Sequence, residues 1–169
     1  MATFYTPKYI SPDELVDRAT YNSMKKAYGN FDRILWSFNP YVLMTADMLR
    51  ERFGAITINN WSIGGSFQQR GLRLDDTSVG APYSAHRRGA ALDCNFKNAT
   101  AEEVRNEMRK CGCFSKGFKD RKDLNKTNGE CFKYIGRVET TQNGKPITWF
   151  HFDIWNNQSQ DGSVLTFGA

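Results

Sequence analysis

The sequence predicts an α+β domain with helices packed on a small antiparallel sheet, and three observations carry that expectation. Helix-capping signals concentrate in the first third of the chain. Segments alternating in polarity dominate the later part, and an Asn143-Gly144 pair between two of them marks a hairpin. Helices first, then strands around one further helix, is the order of an α+β domain rather than of repeated βαβ units. The 169 residues suit one core, and no repeat, low-complexity tract or linker divides them, so a single domain over 1–169 is expected.

Ser11-Pro12-Asp13-Glu14 opens a helix with a serine cap, proline at the first helical position and a capping-box glutamate. Asn39-Pro40 opens a second; Val42, Ala46, Leu49 and Phe53 recur at helical spacing, and Gly54 ends it. A strand is expected over 56–61 (ITINNW). Another is expected over 90–96 (AALDCNF), with Ala91, Asp93 and Asn95 on one face and Leu92, Cys94 and Phe96 on the other. Thr100 and Glu103 box the start of a third helix, whose buried stripe is Val104, Met108 and Cys111 and whose terminator is Gly112. Strands over 131–140 and 147–155 flank the hairpin turn. In the last one Phe150, Phe152 and Ile154 form a core face, while Trp149, His151, Asp153 and Trp155 share the other. A histidine and a carboxylate bordered by two tryptophans resemble a site more than a solvated surface.

Composition narrows the function classes. No run approaches the roughly 18 apolar residues of a membrane span. The net charge of +5 is modest and spread out, so nucleic-acid binding rests on charge alone and is not the expectation. Residues 1–10 lack the basic start and apolar stretch of a signal peptide, so synthesis in the cytoplasm is expected. Cysteines at 94, 111, 113 and 131 form no disulfide-dense pattern and are expected to be reduced. The pair Cys111 and Cys113 lacks the further thiolates of a structural zinc.

The chain has 2 histidines, each in unusual company. His86 lies in Ser84-Ala-His-Arg-Arg-Gly-Ala-Ala-Leu-Asp93, an S-x-H-x-x-G-x-A-x-D pattern. Small residues at 89 and 91 let the backbone pass closely, so a loop histidine and a strand carboxylate converge. His151 adds a ligand from a separate strand. A single histidine is more often a hydrogen-bonded core or surface residue, and a single aspartate at a strand end a turn cap. Together, two imidazoles and one carboxylate with an open fourth position are the donor set of one catalytic Zn2+ ion rather than a structural one. Ser84 bonds locally or touches substrate; a serine nucleophile is rejected because no histidine remains as its base.

These residues resemble a known group. S-A-H-R-R-G-A-A-L-D followed by W-F-H-F-D is similar to the zinc D-alanyl-D-alanine carboxypeptidase family, which has the Hedgehog/DD-peptidase fold and includes bacterial carboxypeptidases and dipeptidases and phage L-alanyl-D-glutamate endolysins. Ile10-Ser-Pro-Asp-Glu-Leu15, Leu49-Arg-Glu-Arg-Phe-Gly54, Ile58-Asn-Asn-Trp61, Gly64-Gly65, Arg70-Gly-Leu-Arg73 and Gly136-Arg-Val-Glu139 extend the likeness over roughly residues 10–155, in the variant of small phage-encoded members. The resemblance implies a metallopeptidase acting on peptidoglycan stem peptides, with His86, Asp93 and His151 on zinc. It also implies an arginine that stabilises the oxyanion or grips substrate; Arg73 matches better and Arg70 is the alternative. Cell-wall lysis after holin-type release, or action as a bacteriophage virion component, fits the missing signal peptide. The basic stretch KGFKDRKDLNK at 116–126 is a solubilising loop or, less simply, a wall contact.

The proton-transfer group departs from the commonest pattern. Many relatives carry an acidic residue three positions before the last histidine, where this chain has Thr148. Glu139 is the preferred general base and Asp153 the partner that orients an imidazole. A tight Asn143-Gly144 turn pairs Glu139 with Thr148 and aims it away from His151. A longer loop or a bulge reverses the parity, and that is the expectation. The alternative is a zinc-binding virion or structural protein on the same fold with weak or no catalysis, which Thr148 favours.

Overall fold

The computed structural model describes residues 4–74, 77–111, 130–155 and 165–168. Gly112, Cys113 and the stretch 116–126 lie outside them. Helices α1 (Pro12–Leu15), α2 (Arg18–Tyr28), α3 (Asp32–Trp36) and α4 (Pro40–Phe53) precede β1 (Ile56–Thr57) and β2 (Ala91–Phe96). Then come α5 (Ala101–Lys110), β3 (Arg137–Gln142), β4 (Lys145–Asp153) and β5 (Leu165–Gly168).

The caps read from the sequence sit where expected, with one elaboration. The helix opened by Ser11 lasts a single turn. Val16 turns extended, and Asp17 caps α2 by accepting from Ala19 N at 2.8 Å and Thr20 N at 3.0 Å. The break exposes the Val16 carbonyl, which Asn59 Nδ2 and Trp61 Nε1 fill at 3.1 and 2.8 Å. That inward demand on Asn59 and Trp61 is why the strand expected over 56–61 shrinks to Ile56–Thr57 and the chain coils into a 3₁₀ turn at Trp61–Ile63. The strand expected over 131–140 is likewise shortened. Glu130–Phe132 is a 3₁₀ turn, Cys131, Phe132 and Ile135 are buried, and pairing starts at Arg137.

The sheet order is β1-β2-β4-β3-β5. The first four strands pair antiparallel, as expected; β5 pairs parallel to β3, a strand the sequence pattern did not reveal. Leu92 and Cys94 of β2, Phe150 and Phe152 of β4, and Val138 of β3 are fully buried with Val42, Leu43, Ala46 and Leu49 of α4 and Val104 and Met108 of α5. Apolar burial, at roughly 25 cal/mol per Å², holds β2 and β4 against α4 and α5. The alternate residues of the same strands face away from this core and carry the polar groups described next.

Candidate metal centre

Antiparallel pairing lays the polar groups in two rows across the sheet. Asp93 on β2 opposes His151 on β4, which opposes Glu139 on β3; the neighbouring row is Ala91, Asp153 and Arg137. Opposed residues share a face, with Cβ atoms about 4.5–5.5 Å apart. Glu139 reaches the row through a bulge. Asn143 and Gly144, with φ of 50° and 72°, form the tight two-residue turn and pair Thr141 with Pro146. From there to the Glu139–His151 pair, β3 advances two residues and β4 five. The odd difference reverses the parity and carries Glu139 onto the histidine's face. Thr148 is exposed and does not line the cleft.

His86 arrives from outside the sheet on the 3₁₀ turn Ala85–Arg88. Ser84 Oγ caps it by accepting from His86 N at 3.4 Å, and Gly89 closes it at φ 58°. A β-carbon at Gly89 collides with the Ser37 carbonyl, so the close pass needs glycine. His86 Nδ1 donates to the Gly71 carbonyl at 2.8 Å, which places the free lone pair on Nε2, toward the row.

The three buried groups converge: one donor atom from each of His86, Asp93 and His151 lies within 4.8 Å of the others. His86 Nε2 stands 3.3 Å from His151 Nδ1 and 3.5 Å from Asp93 Oδ2, while His151 Nδ1 lies 2.7 Å from Asp93 Oδ1. A four-coordinate ion with bonds of about 2.0–2.1 Å separates its ligand atoms by about 3.3–3.4 Å. Two of the three separations have that size, and the shorter one is a hydrogen bond that a cation replaces. A lone pair, a carboxylate and a second imidazole, shielded from water, form a donor set that fits a divalent metal.

The charges agree. Burial opposes ionisation of Asp93, yet both imidazoles hold its carboxyl well below the usual carboxylate range. Burial lowers the pKa of His86 against the pull of Asp93. Burial also disfavours charge on His151, but the carboxylates of Asp153 and Asp93 overcome it and raise its pKa to about 9. Burial raises the pKa of Glu139, with Asp93 adding to it and His151 and Arg73 opposing. No hydrogen bond ties the Glu139 carboxylate among the described residues.

Two arginines border the centre differently. Arg73 donates to Asp93 Oδ2 at 3.0 Å and to the Gln69 carbonyl at 2.6 Å. Arg70 lies over the Phe67 ring at 3.6 Å and donates to Asn95 Oδ1 at 2.9 Å, beside the centre rather than on it. The ligands open into a cleft of about 290 Å³ bordered by Tyr83, Trp149 and Trp155. Arg73, Asp93 and Trp149 also line an adjoining groove of about 890 Å³ that reaches Arg18, Phe67 and Arg70.

No protein-family model, curated protein or solved structure matches this chain. Asp153, fully buried, stands with Oδ2 3.6 Å from His151 Nε2, and Arg137 grips it at 2.7–2.9 Å. Sequence reasoning gave Arg137 no role. Its position two residues before Glu139, hence on the same strand face, is the signal that points to it.

Proposed function

We propose that this chain is a zinc-dependent peptidase that hydrolyses an amide bond in peptidoglycan stem peptides, of the carboxypeptidase or L-alanyl-D-glutamate endopeptidase type. The observation that carries this reading is the Asp93–His151–Glu139 row with His86 closing over it: a buried three-ligand set beside a carboxylate of raised pKa, at the floor of a cleft. The sequence resemblance to the zinc D-alanyl-D-alanine carboxypeptidases and their Hedgehog/DD-peptidase fold supports the choice of metal and substrate. When bound to His86, Asp93 and His151, zinc supplies Lewis acidity and lowers the pKa of its water to about 7.

The chain's own residues do the rest. Glu139 takes the proton of the attacking water at its carboxylate and returns it to the leaving amine; burial keeps it basic enough for both steps. Arg73 offsets the charge of Asp93 and presents a cation to the developing oxyanion or to a substrate carboxylate. Arg137 fixes Asp153, whose carboxylate faces His151 Nε2 at 3.6 Å and favours charge on that ring. Trp149, Trp155 and Tyr83 give the substrate chain apolar surface to pack against. A phage origin, as a lysin released by a holin or carried in the virion, accords with the resemblance.

Mass spectrometry of purified peptidoglycan fragments, with and without chelator, tests the reading. Chelator-sensitive release of a fragment is expected, and Glu139→Gln should keep zinc while losing about 10²–10⁴-fold in rate. Undegraded fragments from zinc-loaded protein would refute it. Thr148, at the position where many relatives are acidic, favours a second reading: a zinc-holding virion component without catalysis. Full zinc occupancy with no cleavage selects that one.

A further inference from the structure

The bulge that brings Glu139 to the cleft leaves part of β4 between ladders. On the β2 side β4 is paired from Phe150 to Asp153; on the β3 side the pairing passes from Pro146 to His151. Residues 147–149 therefore fall in the register shift, with no Cα partner in either pairing among the described residues, and a buried carbonyl there needs a donor. Arg105 of α5 provides it. The guanidinium is 2% exposed, with one Nη donating to the Ile147 carbonyl at 2.8 Å and the other to the Trp149 carbonyl at 3.3 Å; its Nε donates to Glu102 at 2.9 Å.

An amphipathic helix has no need of arginine between Val104 and Met108, where α5 faces the core. A fully buried cation survives only where its donors are used. Here they are used on the carbonyls that the register step strands. In an unbulged hairpin the tight Asn143-Gly144 turn pairs Glu139 with Thr148, and the ladder itself serves residues 147–149. The two registers compete for the same carbonyls, and they differ in which face Glu139 takes.

We infer that Arg105 is a positioning residue: by holding the Ile147 and Trp149 carbonyls it selects the bulged register that sets Glu139 opposite His151. Only the catalytic consequence rests on the proposed function; the register itself does not. The fork geometry of the guanidinium reaches both carbonyls and Glu102 at once, which a lysine ammonium does not reproduce. The metal ligands are insulated from the choice. Asp93 and His151 belong to the β2–β4 pairing, and His86 hangs on the Gly71 carbonyl.

The test uses the full chain, labelled for NMR, with Arg105→Lys and, at an exposed position that leaves the core intact, Glu102→Ala. Cross-strand proton contacts between residues 139 and 151 should weaken in Arg105→Lys while contacts between 139 and 148 appear. Amide exchange over 138–141 and 147–151 should quicken about tenfold in Arg105→Lys and about threefold in Glu102→Ala, with β2 unaffected. Zinc affinity by chelator competition should stay within about threefold of the parent, and peptidoglycan cleavage should lose about tenfold or more in kcat with KM little changed. Retained 139–151 contacts with unchanged exchange in Arg105→Lys overturn the inference. Should Arg105→Lys fail to fold, Glu102→Ala decides: exchange quickened only around the bulge supports it, and unchanged exchange overturns it. A register shift in a protein that never cleaves wall peptides leaves this inference standing while the proposed function fails.

Discussion

Asp153 shows how much of the centre depends on single side chains that never touch the ligands' donor atoms. It has no solvent exposure, and its carboxylate is held by Arg137 Nε at 2.9 Å to both oxygens, by an Arg137 Nη at 2.7 Å and by Trp155 N at 3.0 Å. The direction left over is His151 Nε2. Replacing Arg137 with Met strands a buried charge; a loss of about 3 kcal/mol is expected in urea denaturation, with zinc affinity weakened about 10–100-fold. The titration of His151 gives a second prediction for the chelated protein. Its pKa in the fold, about 9, exceeds the ordinary 6.5, so its contribution to stability is complete below pH 6.5 and is lost as pH rises through 9. Thermal melts in chelator should fall across pH 7 to 9.5 in the parent and stay flatter in His151→Asn. Equal slopes would show that the paired charge adds nothing.

At the scale of elements, the 3₁₀ turn Ala85–Arg88 is built to a tolerance that one atom exceeds. Gly89 combines a left-handed backbone with contact against the Ser37 carbonyl. Gly89→Ala should therefore cost more than about 1 kcal/mol and displace His86. Isothermal titration with zinc should show binding weakened at least tenfold, and parent-like affinity would mean that the turn adapts. Much at this scale was legible in sequence. The Ser11, Asn39 and Thr100 caps, the Val42–Phe53 stripe and the opposed faces of β2 and β4 all follow from period and capping chemistry, which act within a few residues. Asp17, an aspartate before Arg-Ala-Thr, carries the same kind of cap signal. The ends of the strands at 57 and 137 were not legible. They depend on the Val16 carbonyl drawing in Asn59 and Trp61, and on the burial of Phe132 and Ile135.

For the molecule as a whole, a metal bound by His86, Asp93 and His151 ties a turn to two strands. Such a tie should register in global stability. At a thousandfold excess over the dissociation constant, zinc binding adds about 4 kcal/mol, equivalent to roughly 8–16 °C in Tm for a domain of this size. Calorimetry with zinc and with chelator checks it, and identical melting temperatures would argue against a resident metal. The same comparison in Asp93→Asn should show no shift. No helix among the described residues is long and apolar enough to cross a membrane.

The sequence alone determined that His86, Asp93 and His151 belong together, and the fold gathers them into one buried cluster. The spacing from His86 to Asp93 and the alternation around His151 are local properties, and local backbone geometry decides which face each side chain takes. It also framed the choice at Glu139 as one of parity between two hairpin registers. Only the tertiary structure decided between them. The bulge's carbonyls are served by Arg105, 42 and 44 residues away in sequence, and the imidazole lone pair of His86 is aimed by a carbonyl 15 residues back. Contacts at that range have no periodic signature, because they arise from how helices and strands pack rather than from the chain's own repeat. The donor set is written in the sequence; its alignment with Glu139 is a property of the packed fold.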